Sequence, residues 1–214
     1  MAASSNTLVQ QFARAPRVGA VKTRLQPPLT ASAACALHCE LVRWTSATLG
    51  AAGFGEVELW VTGSPDDALF QDCLDLGMAA IRQQQGRDLG ARMLFALDHG
   101  LARYPQVLLV GSDCPGLDAD YLHRAATALQ HSELVLGPAR DGGYVLLGAR
   151  RPVAPLFTDM PWGTDRVLAQ TLQWARSMGL VTTLLEPLTD IDRPADLPHW
   201  QALRAAGSRS GRSG

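Results

Sequence analysis

The chain has 214 residues, 47% hydrophobic and 18% charged, which is apolar material enough for a packed core and a length that favours one domain, expected over residues 1–206. Its 19 basic and 20 acidic residues leave a net charge of −1, so the strong cationic surface that duplex nucleic acid or an anionic membrane would require is missing. An apolar run of ~20 residues is also missing, and the small polar start at Met1 to Asn6 lacks a secretory pattern, so a cytoplasmic protein without a membrane span is expected.

In chain order, the first apolar run, residues 8–12, fits a strand, and residues 15–25 follow it as a loop with Pro16, Gly19, Lys22 and Arg24. Pro16 and Gly19 shape a turn whose backbone N–H groups can face an anion. Lys22 supplies a point charge and Arg24 a forked donor, so the loop suits phosphate capture at a first strand-to-helix junction. Residues 30–49 read as a helix, with Thr30 or Ser32 at its start and Gly50 and Gly53 near its end. A strand at 57–61 is followed by a helix at 66–76, stopped by Gly77. A further helix at 89–104 carries Leu89, Met93, Leu94, Leu97 and Leu101 on one stripe.

The strand at 107–110 runs into Gly111-Ser112-Asp113-Cys114-Pro115, which puts a carboxylate where a buried strand leaves a sheet. Ligands of open α/β sheets gather beyond the carboxyl ends of the strands, and an Asp there can hold a divalent metal against phosphate oxygens. A helix starts at Asp118 or Asp120. Strands at 134–136 and 144–147 are separated by a stretch too short for a helical crossover, so that pair should be antiparallel or irregular. The intervening Arg140-Asp141-Gly142-Gly143 lets backbone approach a ligand, with Asp141 placed to bond a hydroxyl.

Pro161-Trp162-Gly163-Thr164-Asp165 opens a helix over 164–178, with Thr164 as its expected N-cap and Trp162 as a wall for a ring or sugar face. After a strand at 181–185 comes Asp190-Ile191-Asp192. In extended backbone the two carboxylates face one side while Ile191 packs inward, which makes a second metal ligand available. A last helix covers 195–206, and the Gly/Ser-rich tail 207–214 should be disordered.

Strands alternating with helices imply a Rossmann-like α/β/α sandwich around a mostly parallel, mixed sheet. Neither GxxxxGK[ST] nor GxGxxG occurs. The five histidines read as surface or structural. The cysteines at 35, 39, 73 and 114 form no CxxC pair and read as reduced thiols; Cys35, His38 and Cys39 share a helix face but lack the further ligands zinc needs.

Taken together, APRVGAVKTRL, GSDCPGL, GPARDGGYVLLG, PWGTDRV and LTDIDRPADL, in that order, resemble the bacterial glycosyltransferase-A-like family of nucleotide-diphospho-sugar transferases, some of whose members are assigned to arsenosugar biosynthesis. The resemblance spans residues 6–200. It implies a nucleotide-diphospho-sugar transferase fold (GT-A), a first loop that holds nucleotide and phosphates (Ala15, Pro16, Gly19, Lys22, Arg24), and Asp113 as metal ligand. Glycosyltransferases of this superfamily carry Asp-x-Asp, whereas this chain has Ser112-Asp113-Cys114. That pattern is closer to nucleotidyltransferase relatives, in which one strand-end Asp is joined by an Asp near the chain's end, here Asp192 or else Asp190.

The expected activity is therefore glycosyl transfer from a nucleoside diphosphate-sugar to a small acceptor, with Mg²⁺ or Mn²⁺ on Asp113 and Asp192. Lys22 or Arg24 would neutralise the leaving diphosphate, Asp141 would orient or deprotonate the acceptor, and Gly142, Gly143, Trp162, Gly163 and Thr164 would contact substrate. Nucleotidyl transfer from a nucleoside triphosphate, releasing pyrophosphate, is the alternative. A nucleotide-binding regulatory protein without turnover is the third reading.

Overall fold

The computed structural model describes residues 6–210, with side chains described over 6–206. Over these residues seven strands form one sheet: β1 (Thr7–Ala13), β2 (Glu56–Val61), β3 (Ala80–Gln83), β4 (Gln106–Val110), β5 (Leu134–Pro138), β6 (Tyr144–Ala149) and β7 (Thr182–Leu184), in the order β3-β2-β1-β4-β6-β5-β7. Six α-helices cover it: α1 (Ala31–Ala51), α2 (Ala68–Asp75), α3 (Leu89–Leu101), α4 (Ala119–Ala128), α5 (Val167–Ser177) and α6 (Leu197–Ser210). The sheet is parallel from β3 to β4, and β7 is parallel to β5. Only β6 reverses, pairing antiparallel with both β4 and β5. The reversal follows from the short connection 139–143, which cannot carry a parallel crossover. The expected mixed α/β/α sandwich is present. No helix among the described residues is long and apolar enough to cross a membrane.

Two cores lie on the two faces of the sheet. On one, Val9, Leu59, Leu108 and Leu146 pack against Val42 and Leu49 of α1, Phe70 of α2, and Tyr121 and Leu122 of α4. On the other, Leu8, Phe12, Leu109 and Leu147 pack against Met93 and Leu97 of α3 and Ala175 of α5. A third, smaller cluster joins Leu25, Leu37 and Leu41 to Ile191 and Trp200, and so ties the end of the chain back to its beginning.

Helix starts follow the capping chemistry of short polar side chains. Thr30 accepts from Ala33 N at 3.1 Å, Asp67 from Leu69 N at 3.0 Å, Asp88 from Ala91 N at 2.8 Å and Asp118 from Tyr121 N at 2.7 Å. Thr164 departs from its expected role. Its hydroxyl donates to Pro161 O at 2.8 Å inside a tight turn, and α5 begins three residues later at Val167 with no side-chain cap. The last helix also runs further than expected. It spans Leu197–Ser210; residues 211–214 of the anticipated tail lie outside the described residues. All four cysteines are free thiols.

Candidate functional site

Chain order reverses beside β1: β2 and β3 build outward on one side, and β4 and the later strands on the other. Loops leaving the carboxyl ends of strands at such a point flank a crevice. Here they are the segment after β1 and the segment after β4.

The second of these is fixed from below. Ser112 is buried, donates from Oγ to Phe12 O at 2.7 Å and accepts from Gln11 Nε2 at 2.9 Å, while Ser46 of α1 donates to Gln11 Oε1 at 2.8 Å. With Ser112 pinned to β1, the next side chain emerges at the surface. Asp113 is half exposed, and its Oδ1 lies 2.7 Å from Lys22 Nζ, whose own side chain is only 3% exposed. Lys22 sits in left-handed backbone with φ 51 and also donates to the backbone carbonyl of Ile191.

Ile191 returns the connection, its N–H donating to Asp113 O at 2.8 Å and its side chain fully buried in the third cluster. Three segments distant in sequence therefore meet at one ion pair. Because Ile191 points inward, Asp190 and Asp192 line the crevice, as their alternation implies. Arg24 Nη1 holds Asp192 Oδ2 at 2.9 Å, which keeps the guanidinium firmly protonated.

The crevice holds a cavity of about 420 Å³. Asp113, Asp141, Asp190 and Asp192 line it beside Arg14 and Arg24, and its opposite wall is apolar and aromatic, with Phe12, Met93, Leu109, Tyr144 and Trp162. Trp162 stands edge-on to Tyr144 with ring centroids 6.4 Å apart. It can do so because residue 90 is glycine: a Cβ there would come within 2.9 Å of the indole and 2.7 Å of Phe157 O. A smaller cavity of about 230 Å³ lies under the first loop, between Arg14, Ala15, Arg17 and Val21 on one side and Thr62 and Gly63 at the end of β2 on the other. Arg14 borders both cavities.

The charges on the rim are unequal. Burial, then the neighbouring Asp141, and to a lesser degree Asp192 and Asp113, raise the Asp190 carboxyl to about 6. Cys114, beneath the rim, is pushed up to about 12 by burial and is an inert thiol. Behind the Lys22–Asp113 pair, burial lowers His38 toward the neutral imidazole, and its Nε2–H donates to Arg14 O at 2.8 Å, because a carbonyl can only accept.

Most of the residues singled out in the sequence meet at these two cavities. Arg24, Asp113, Asp141, Gly143, Trp162, Gly163, Thr164, Asp190 and Asp192 line the larger, and Ala15 the smaller. Lys22 lies beneath the rim rather than on it. Pro16 and Gly19 line neither cavity. Gly19 has φ +78 with open space around it and serves the turn. Gly142 is also held for its backbone: φ is +92, and a Cβ would lie 2.2 Å from Asp165 O, so its place is against the 162–165 turn. Asp141, which lines the larger cavity, accepts from Gly143 N through Oδ1 at 2.9 Å.

Sequence reasoning passed over Arg14 and, Trp162 apart, the apolar wall. Arg14 is the first residue after β1 and so stands where ligand-binding loops begin, a signal available in principle. The wall is assembled from five separate segments and has no local signature.

The donor set suits a hard cation. Among the described residues no group of three or more His, Cys, Asp or Glu side chains is spaced to hold a metal by itself. Asp113 and Asp192 offer two carboxylates beside an open cavity, the arrangement with which Mg²⁺ or Mn²⁺ is held when phosphate oxygens and water supply the remaining ligands.

The family model described as "Uncharacterized protein conserved in bacteria (DUF2064)" matches residues 45–164, more than half of the chain, and the chain belongs to that family. Among solved structures it is similar to one described as "putative nucleotide-diphospho-sugar transferase from Desulfovibrio desulfuricans G20", with 28% identity, a TM-score of 0.77, and coverage of 88% of this chain and 83% of that one. Its fold is also that of CMP:2-keto-3-deoxy-manno-octonic acid synthetase complexed with CTP, at 14% identity and TM-score 0.58 over 95% of this chain and 100% of that one. Rv0371C of Mycobacterium tuberculosis H37Rv, in complex with manganese, matches at 18% identity and TM-score 0.53 over 90% of this chain and 96% of that one. No curated protein matches the sequence.

Proposed function

We propose that this member of the DUF2064 family is a metal-dependent transferase, acting as one domain, that transfers a glycosyl group from a nucleoside diphosphate-sugar to a small acceptor. The observation that carries the reading is the Lys22–Asp113–Ile191 junction, which brings a strand-end carboxylate and the carboxylate of Asp192 to the rim of one cavity at the switch point of the sheet. The similarity to a structure named for nucleotide-diphospho-sugar transfer supports the donor class.

In this reading the smaller cavity takes the nucleoside, the basic first loop takes its diphosphate, and the larger cavity takes the sugar and acceptor. Asp113 and Asp192 would hold Mg²⁺ or Mn²⁺, which when bound supplies positive charge to the departing diphosphate. Arg14 lies between the two cavities, where that charge develops, and its guanidinium presents a fork to phosphate oxygens. An ammonium has three N–H donors. Lys22 uses one on Asp113 and one on Ile191 O, and from beneath the rim these two would keep the metal-binding carboxylate aimed, so its charge would reach the diphosphate only through Asp113. The Asp141 carboxylate would accept from the acceptor hydroxyl and orient its attack. Trp162, with Gly163 and Thr164, would wall the transferred group.

Nucleotidyl transfer from a nucleoside triphosphate is the second reading. One observation favours it: the end of β4 carries a single carboxylate, and its partner comes from the last part of the chain. The test is metal-dependent ligand binding, read as a thermal shift with nucleoside diphosphate-sugars and nucleoside triphosphates, with and without Mn²⁺. Stabilisation by a diphosphate-sugar with metal, followed by release of the nucleoside diphosphate, supports glycosyl transfer. Selective stabilisation by a triphosphate, with pyrophosphate release, supports the alternative. Binding without turnover of either leaves the regulatory reading. Asp113→Asn should cut metal-dependent affinity by at least about tenfold while leaving the fold in place, since its carboxylate is half exposed; unchanged affinity in that variant would refute the assignment.

A further inference from the structure

The larger cavity has two chemically different sides, and the difference bears on what it accepts. Its carboxylate side carries four negative charges against the two guanidiniums of Arg14 and Arg24, and Arg24 is already engaged by Asp192. A dication on Asp113 and Asp192 would be matched by the diphosphate of the donor. That leaves Asp141 and Asp190 facing the remaining space with no salt bridge of their own among the described residues, only the longer-range charge of Arg24, whose salt bridge is with Asp192. The opposite side is an unfilled edge of the second core: Phe12 and Leu109 come from the sheet, Met93 from α3, and Tyr144 and Trp162 close it.

Resting on the transferase reading above, we infer that the acceptor is a hydroxyl- or amine-bearing molecule with an apolar body and no anionic group, seated with that body on Trp162, Met93 and Leu109 and its polar end toward Asp141 and Asp190. An acceptor bearing phosphate or carboxylate would place its charge against two carboxylates in a partly desolvated space, where like charges are costly and selectivity is built by repulsion as much as by attraction. Removing an alkyl or aryl body from water against the apolar wall contributes affinity in proportion to the area covered. The charge pattern also bears on the choice between reactions. Nucleotidyl transfer to a phosphorylated acceptor would need basic side chains on this side of the cavity, and glycosyl transfer to an alcohol or amine needs none.

The test uses the full chain, metal-free, with four probes that share one apolar tail: 4-phenylbutanol, 4-phenylbutylamine, 4-phenylbutyrate and 4-phenylbutyl phosphate. Binding is measured by saturation-transfer NMR and by protection of the indole envelope in protein fluorescence. The alcohol and amine should bind at least about tenfold more tightly than either anion. Trp162→Ala should lose most of the alcohol's affinity, and Asp141→Asn combined with Asp190→Asn should bring the anions close to the alcohol. Equal or tighter binding of the anions, or no binding of any probe, would overturn the inference. The comparison needs neither nucleotide nor metal. If diphosphate-sugars and triphosphates then fail to bind with Mn²⁺, the transferase reading falls by itself while the cavity's preference still stands or falls on the four probes.

Discussion

Asp190 provides a sharp physical test of the rim, because its perturbation has a sign as well as a size. Burial, then Asp141, with smaller contributions from Asp192 and Asp113, raises its carboxyl from the ordinary 3.8 to about 6. A group whose folded pKa exceeds its unfolded one takes up a proton on folding in the interval between them. Its ionised form therefore opposes folding: the cost is absent well below the unfolded value, grows as pH rises, and is complete above the folded one. The gap corresponds to about 3 kcal/mol at most, and water reaching a half-buried rim reduces this to about 1–3 kcal/mol. Asp190→Asn removes the ionisation and keeps the shape.

Urea denaturation of metal-free protein, wild type and variant, at about pH 4.5 and about pH 7.5, reads the difference. Over that range the wild type should lose about 1–2 kcal/mol more stability than the variant, and at the higher pH the variant should be the more stable protein. Parallel profiles for the two proteins would show that Asp190 is not crowded by the other carboxylates. The electrostatic description of the rim, including its hostility to anionic acceptors, would then be wrong.

Lys22→Met keeps the buried stem but removes both polar contacts, so it should destabilise the fold by about 2 kcal/mol, seen in the urea midpoint, and should also weaken manganese-dependent nucleotide binding because Asp113 and the 190–192 segment lose their common anchor. The two loop glycines separate conformation from space. Gly19→Ala meets nothing within 4 Å and should cost only about 1 kcal/mol for its positive φ, whereas Gly142→Ala also drives a Cβ to 2.2 Å from Asp165 O and should cost more than about 2 kcal/mol, with the 162–165 turn displaced. Equal thermal shifts for the two variants would contradict the close approach of Gly142 to that turn. Gly90→Ala should push the Trp162 indole from its seat and lower affinity for the phenylbutanol probe, and because its Cβ also comes to 2.7 Å from the backbone Phe157 O it should cost about 1–3 kcal/mol of stability.

Much of the fold is readable from local pattern, and the exceptions have physical causes. Strands β1, β2, β4, β5 and β6 are largely apolar and buried, with Gln10, Gln11 and Glu58 among the buried polar exceptions, and such segments announce themselves. β3 was missed because its four residues, Ala80-Ile81-Arg82-Gln83, lie at the sheet edge and only partly in the core. Arg82 belongs there because Glu58, fully buried on β2, needs its guanidinium at 2.6 Å. An edge strand chosen by a cross-strand ion pair carries no apolar period to detect. The start of α5 also lies beyond the expected Thr164: its hydroxyl donates to Pro161 O and accepts from Arg166 N at 3.4 Å, so it closes a turn that precedes the helix, which begins at Val167.

Site residues were legible where their chemistry is local and hidden where it is assembled. Asp113 after an apolar strand, and Asp190 and Asp192 flanking one apolar residue, can be placed from spacing alone. The role of Lys22 cannot, because it depends on a carbonyl 169 positions away in the chain. In the sequence it is one of several basic residues in a loop; in the fold it is the buried member that sets the position of the exposed ones. A phosphate-facing lysine at the surface would contribute only to binding. A lysine buried under the rim makes the position of the Asp113 carboxylate depend on the docking of the 190–192 segment, since Ile191 O is its second partner and Ile191 N holds Asp113 O. The rim at this end of the sheet is thus complete only with residues 190–192 packed through Ile191 in one buried cluster with Leu25 and Leu41, which links the geometry of the rim to the docking of that segment.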